Sequence, residues 1–484
     1  MFVPTLMGQC TPEQQSHWLP RALDMQIIGT YAQVRSCAYS KGMLYGNCSS
    51  RYLMKCRLRI GYFRLETTAT YDPETEEFIL HSPTLSSYKW WAGGHEDTHM
   101  PLPGIKVGEI GPKMGFNTAD NGFLGFNYYR IPREHMMMKN AQVLKDGTYV
   151  KVARHGKLTY GTMVFVRVVL VNEVAFNLAK ASTIAVRDIE PQILDYVTQQ
   201  HKLFIAIATA HALQLCSTWL WESFSAFHAL SSCLKAISTS DSAHLIEQCR
   251  HACGGHGYMI SSGIPNLYNF VSATRTYEGD YTVLLLQTAR FLVKAYEQAE
   301  AKQPLTPTVS YLAHAFSGSE TIWDSSPDGI IKSFQALAAG KIAVCVTNMR
   351  KRMRSGLSQV DAWEMSTIQL VAAAEAHCRA VIADTYRHEI VRLTANSSPN
   401  VKVVMDQLTT LYLYYWALER TGDLLMYTSV SGKDLVDLQI AYEELLLKIR
   451  PNAVGLVDAF DLRDEFSINK GHHTIVDPII YEVT

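Results

Sequence analysis

Two carboxylates stand at the threshold of a long apolar helix: Glu278 and Asp280, in the segment Arg275-Thr276-Tyr277-Glu278-Gly279-Asp280. At a helix start they could simply complement the helix dipole, with Thr282 placed to cap the first turn. In an apolar pocket a carboxylate has a raised pKa and can take a proton from a weak carbon acid near neutral pH. The residues alone leave both readings open. Upstream, Arg250-His251-Ala252-Cys253-Gly254-Gly255-His256-Gly257-Tyr258 packs three glycines into four positions. Such a turn lets a cofactor phosphate approach bare backbone N–H groups, or it merely joins two helices tightly. It is not a dinucleotide fingerprint, because no strand precedes it and the spacing is wrong.

Other chemistries lose their support one by one. His95-Glu96-Asp97-Thr98-His99 matches the H-E-x-x-H zinc pattern, but that motif needs a helix. Gly93-Gly94 before it and Pro101-Leu102-Pro103-Gly104 after it leave no room for one. Ten cysteines are scattered without C-x-x-C pairs; Cys249 and Cys253 do not match a zinc spacing, so reduced intracellular thiols and no metal are expected. No phosphate-binding loop and no nucleophile elbow appears, which removes kinase and serine-hydrolase readings.

The elements that must position these residues fall into two textures. Leu65 to Tyr71 and Glu77 to Leu80 are β-prone runs joined by the polar turn Asp72-Pro73-Glu74-Thr75-Glu76, which predicts a hairpin. Gly and Pro punctuation from Pro101 to Pro132 extends the short-strand pattern towards a small β-barrel or sandwich. From about Leu158 onward long helical periods take over. Leu285, Ala289, Leu292 and Tyr296 form one stripe; Val404, Leu408, Leu411 and Tyr415 another; Leu435, Leu438, Tyr442 and Leu445 a third. The Pro/Ser/Gly-rich interval from Gln303 to Asp328 is the best linker.

With 484 residues, 48% of them hydrophobic, the chain can build a large core that excludes water from a site. A formal net charge of −1 gives no global pull towards nucleic acid or an anionic membrane. Leu203 to Trp221 carries no charge and is nearly long enough to cross a bilayer, but it sits inside a longer helical pattern and reads as a buried core helix. The acid-free basic run from Arg35 to Arg64 reads as a solvated insertion, and Asn47-Cys48-Ser49 as an idle glycosylation match.

These residues together resemble the peroxisomal acyl-CoA oxidases of the acyl-CoA dehydrogenase superfamily over most of the chain. The matching stretches include Ile27 to Gln33, Leu65-Glu66-Thr67-Thr68-Ala69-Thr70-Tyr71-Asp72-Pro73, Lys89-Trp90-Trp91-Ala92-Gly93-Gly94, Arg130-Ile131-Pro132-Arg133-Glu134, Cys253 to Tyr258, Tyr277-Glu278-Gly279-Asp280 and Val457-Asp458-Ala459-Phe460-Asp461. The resemblance implies an α+β fold, mainly α-helical, with a small β-barrel-like domain followed by two helical-bundle domains. It implies a homodimer with noncovalent FAD that desaturates fatty acyl-CoA to trans-2-enoyl-CoA and reduces O2 to H2O2 in the peroxisome, without nucleic acid or a transmembrane segment. Glu278 would be the catalytic base, and Gly93, Gly254, Gly255, His256, Gly257 and Thr282 would hold FAD.

On the same resemblance, residues 1–19 are a remnant of the N-terminal helical domain and 20–155 the β domain with a basic insertion at 35–64. Residues 156–302 are the helical domain carrying the catalytic and FAD motifs, 303–328 a linker, 329–462 the second helical domain and 463–484 a divergent tail. Several family features are missing. The flavin-contacting threonine after Gln33 is not carried over; Gly94 runs directly into His95; Val186-Arg187 joins Asp188-Ile189 without an arginine-rich turn; Tyr281 replaces an expected asparagine; and the chain lacks the C-terminal end with its Ser-Lys-Leu type signal. Two other readings therefore stand beside the oxidase: a catalytically impaired member acting as a dimerisation or scaffold subunit, and a dehydrogenase passing electrons to a protein acceptor.

Overall fold

The computed structural model describes residues 2–27, 29, 66–93, 101–119, 121–152, 161–187, 191–222, 228–316 and 320–462. The basic run, the zinc-like His95 to His99 and the divergent tail lie outside these residues. The chain divides into two compact units, 1–166 and 167–484.

The first unit opens with two short helices, α1 (Phe2–Gln9) and α2 (Pro12–Leu23). Thr11 and Gln14 form a reciprocal capping box and Pro12 fills the first turn, so α2 starts where its orphan N–H groups are satisfied. Leu6, Cys10 and Ala22 bury a small apolar seam between them. Strands β1 (Thr68–Asp72), β2 (Glu77–His81), β3 (Lys89–Gly93), β4 (Ile105–Glu109), β5 (Asn121–Phe126), β6 (Tyr129–Pro132), β7 (Ala141–Val143) and β8 (Tyr149–Lys151) follow.

They pair antiparallel as β1-β2-β6, β3-β5-β4 and β7-β8. The expected hairpin is β1-β2, with Thr68 opposite His81 and Asp72 opposite Glu77. Arg130 from β6 reaches both Asp72 and Glu77 at 3.0 Å and ties the turn end of the hairpin to the next strand. The Gln14 amide reaches the carbonyls of Glu134 and Met136 at 2.8 and 2.7 Å, anchoring α2 to the strands.

The second unit is helical, and the first of its helices begins before residue 167: α3 (Gly161–Arg187), α4 (Pro191–Leu194), α5 (Val197–Glu222), α6 (His228–Ala252), α7 (Ile264–Thr274), α8 (Tyr281–Glu300), α9 (Pro327–Arg354), α10 (Gln359–Glu364), α11 (Thr367–Thr394), α12 (Pro399–Leu418), α13 (Thr421–Tyr427), α14 (Gly432–Ile449) and α15 (Ala453–Asp458). The three sequence stripes face inward: Leu285, Ala289, Leu408, Leu411, Leu438 and Tyr442 are all buried. Helix α5 is the apolar run read as a core helix. Along with α9 it is long and apolar enough to cross a membrane, yet Leu203 to Ala208 are fully buried against neighbouring helices.

Two features differ from the sequence reading. Within 303–328, residues Pro307–Phe316 form a 3-10 helix whose Val309, Tyr311 and Leu312 join the core shared by both helical blocks, so apolar side chains anchor much of the expected linker. Cys233 of α6 and Cys378 of α11 form a disulfide with Cα atoms 5.7 Å apart, where only reduced thiols were expected. The two residues lie 145 positions apart, and the packing of α6 on α11 brings them into bridging range.

Candidate active site

Glu278 sits in the turn between α7 and α8 with a backbone φ of +56°, a left-handed conformation that costs a non-glycine residue roughly 1–2 kcal/mol. Gly279 follows at φ +113°, where a Cβ would also run into the Leu284 side chain at 2.6 Å. Two consecutive positive φ values turn the chain sharply, and then α8 begins. Its cap is Asp280 rather than Thr282: the Asp280 carboxylate accepts from the backbone N–H groups of Thr282 at 2.9 Å and Val283 at 3.4 Å. Asp280 has the extended backbone that a cap requires, whereas Thr282 already lies inside the helix. The two acidic residues thus divide the roles that the sequence left open, with Asp280 serving the helix and Glu278 left over.

The strained turn is held from behind by two buried cations. Arg167 of α3 donates from Nε to the Glu278 carbonyl at 3.0 Å and from Nη1 to the Ser232 hydroxyl at 3.0 Å. Lys235 of α6 donates from Nζ to the Gly279 carbonyl at 2.6 Å. Arg167 is 4% exposed and Lys235 is 0% exposed. Charge-assisted hydrogen bonds of this kind are the strong ones.

The Glu278 side chain is half-buried, but its Oε2 is buried without a hydrogen-bond partner among the described residues. Burial pushes its pKa up, against the opposing pull of Arg167 and Lys235. Burial likewise pushes Lys235 down to about 7, with Arg167 adding to the effect and Glu278 and Asp280 opposing it. Desolvation exceeds the mutual attraction of these groups, as the direction of both shifts shows. Tyr277 beside the base is also pushed up by burial, with Glu173 and Glu278 contributing.

The glycine turn closes α6. Gly254 has φ +57°, which suits glycine, and a Cβ on Gly257 would lie 2.0 Å from the Arg250 carbonyl oxygen. Both glycines are thus explained by a tight turn. Gly255 is not: its φ of −63° is open to any residue, and nothing lies within 4 Å of a Cβ built there. Gly254 and Gly255 face solvent with bare backbone, as an approaching ligand would require. His256 starts the 3-10 helix His256–Tyr258.

Glu278, Gly254, Gly255, His256, Gly257 and Thr282 all belong to the second unit, while Gly93 ends β3 in the first, opposite Asn121. Sequence reasoning missed Arg167, Ser232 and Lys235. The available signal was a lone lysine in the apolar run Cys233-Leu234-Lys235-Ala236-Ile237, a position that demands a buried partner. Among the described residues, no cluster of three or more His, Cys, Asp or Glu could hold a metal ion.

Comparison with known proteins adds an independent line. Family models match three segments: acyl-coenzyme A oxidase N-terminal over residues 1–28, the acyl-CoA oxidase C-alpha1 domain over 160–293, and acyl-CoA oxidase over 326–467. Acyl-coenzyme A oxidase 1 of Drosophila melanogaster is 40% identical, with 96% of this chain and 75% of the relative covered. Peroxisomal acyl-coenzyme A oxidase 1 of Bos taurus is 39% identical over 96% of this chain and 77% of its own length. Among solved structures, an acyl-CoA oxidase from Lycopersicon esculentum (tomato) superposes with a TM-score of 0.87 at 33% identity, covering 100% of this chain and 81% of that one. Acyl-CoA oxidase-2 of Caenorhabditis elegans, bound with FAD, ascaroside-CoA and ATP, gives 0.83 at 34% identity, covering 96% and 75%.

Proposed function

We propose that this chain, which belongs to the acyl-CoA oxidase family, desaturates fatty acyl-CoA to trans-2-enoyl-CoA with Glu278 as the base. FAD is the cofactor, as in the FAD-bound structures of relatives. O2 is reduced to H2O2, which makes this the first step of peroxisomal fatty acid β-oxidation, in keeping with the peroxisomal relatives. The observation that carries the reading is the buried, unpartnered Oε2 of Glu278. A polar atom withdrawn from water without a partner is costly, and a substrate proton is the partner that would satisfy it.

The α-proton of a thioester is weakly acidic, so its acceptor must be both basic and ionised. Burial supplies the basicity of Glu278, while Arg167 and Lys235 favour its ionised form. The two backbone anchors fix the direction in which the side chain leaves the turn. Gly255 tests the fit of the cofactor: it is a glycine that the fold does not require, at an open and exposed position. Gly254 to Gly257 and Thr282 of the second unit would hold FAD. When bound, FAD supplies the two-electron chemistry, since the β-hydrogen leaves as hydride and O2 finally takes the electron pair.

A homodimer, as the family resemblance implies, completes the proposal; no membrane span is included, because α5 and α9 are mostly buried inside the helical core. Glu278→Gln protein is expected to keep the flavin absorbance band and to lose H2O2 production on adding an acyl-CoA, by about 10²–10⁴-fold. Retained turnover in that variant would remove Glu278 from the reaction. A colourless wild-type protein that still dimerises would favour the scaffold reading instead.

A further inference from the structure

We propose that Lys235 is a positioning residue for Glu278: from the middle of α6, its ammonium grips the Gly279 carbonyl and, with Arg167 on the preceding carbonyl, locks the turn that aims the carboxylate. The proposal rests on the reading of Glu278 as the base.

Three observations carry it. Lys235 is wholly buried, and the one described hydrogen bond of its side chain, at 2.6 Å, goes to a backbone oxygen rather than to a carboxylate. A lysine kept only for an ion pair would be expected to meet a carboxylate. Secondly, the carbonyls of Glu278 and Gly279 are successive, and each receives a different cation from a different helix. Thirdly, both residues have positive φ, and Glu278 is not a glycine. A conformation of this kind persists only where its surroundings over-determine it.

The charges facing Lys235 are Arg167 from α3 and Glu278 and Asp280 from the turn before α8. Asp280 is committed to capping α8. Removing the ammonium therefore releases the Gly279 carbonyl and also withdraws a cation that favours ionised Glu278.

The test separates positioning from mere packing. Lys235→Met keeps the length and apolar stem while removing the charge, so the relieved desolvation cost of a wholly buried ammonium offsets the cost of leaving the Gly279 carbonyl without its donor. On the FAD-loaded protein, the expected result is a thermal midpoint and flavin content close to wild type. We expect kcat to fall about 10²-fold, KM to change little, and the acid limb of the kcat/KM profile to move to higher pH. Lys235→Gln retains an N–H donor without charge and should recover part of kcat while keeping the displaced limb.

A purely structural lysine would give the opposite pattern, with a changed thermal midpoint but kcat and the acid limb in place, and that result overturns the proposal. It is equally overturned if neither variant yields folded, flavin-loaded protein. Glu278→Gln assayed in parallel keeps the two ideas apart. An inactive Glu278→Gln beside an unaffected Lys235→Met sinks the positioning role alone, whereas an active Glu278→Gln sinks the base itself.

Discussion

Arg379 of α11 and Asp241 of α6 form a buried bidentate ion pair, with Nη2 donating to Oδ1 at 2.8 Å and Nη1 to Oδ2. The side chains are only 8% and 7% exposed, and the guanidinium carbon lies 3.3 Å from the centroid of the Trp416 ring. Arg379 also approaches Glu375 at 3.7 Å, which in turn accepts from Arg420. Since α6 carries Lys235 and the glycine turn, this pair joins the helix behind the candidate site to the C-terminal helical block.

Asp241→Ala leaves a buried guanidinium without its main counter-charge, which typically costs about 3–5 kcal/mol. The expected readout is a clear fall in the denaturation midpoint of the flavin-loaded protein. The double variant Asp241→Leu with Arg379→Met should recover most of the loss, because the desolvation cost disappears with the pair. A single variant as stable as wild type would show that the contact contributes little.

The glycine turn permits a cleaner separation of fold from function. Gly257→Ala places a methyl 2.0 Å from the Arg250 carbonyl oxygen, so the backbone must move, at about 1–3 kcal/mol for overpacking. Gly255→Ala meets no neighbour and keeps an ordinary φ, so its stability should stay at or above wild type. Its FAD affinity, measured by the absorbance of reconstituted apoprotein, is expected to drop. Undiminished flavin binding in Gly255→Ala would remove that backbone from the cofactor site.

What could be read from the sequence follows from the range of the interactions concerned. The β1-β2 hairpin and the inward stripes of α8, α12 and α14 rest on local periodicity and turn chemistry, which neighbouring residues fully express. The assignment of the α8 cap failed by two positions, because Asp280 and Thr282 are both good capping types and only the backbone at Asp280 decides between them. Arg167 and Lys235 lie 111 and 44 residues from the carbonyls they hold, and no spacing rule links α3 and α6 to that turn. Pro307–Phe316 was misleading because its Pro and Ser content reads as a linker while Val309, Tyr311 and Leu312 bind it into the core.

Two histidines, His377 buried and His211 half-buried, set the acid tolerance of the helical unit. His211, stacked on Phe460 at 4.4 Å, and His377, bonded to the Tyr311 hydroxyl at 2.8 Å, are both held down to about 4 by burial. Their unfolded value is 6.5, so between pH 6.5 and 4 the unfolded chain binds more protons than the native one. Stability is therefore fully present above pH 6.5 and is lost progressively as pH falls through 4, each histidine contributing on the order of 3 kcal/mol. Urea midpoints across this interval should fall with pH, and His377→Gln should flatten the slope. An unchanged slope would mean that His377 is not kept neutral by the core.

The pH profile of turnover should carry the signature of Glu278 itself. A base works only when ionised, so kcat/KM must fall as pH drops through its pKa. Burial raises that pKa above the 4.5 of a solvated glutamate, with Arg167 and Lys235 limiting the rise, so the acid limb is expected above pH 4.5. Glu278→Asp keeps the charge but withdraws the carboxylate towards the turn, away from the position that the two backbone anchors define. Its kcat should fall about 10²-fold, as expected for a misplaced reacting group, with an acid limb still present. H2O2 release followed across pH with both proteins checks this. A limb at the solvated carboxylate position would mean that water reaches Glu278 freely, and a full-rate Glu278→Asp would mean that the geometry of the turn does not matter.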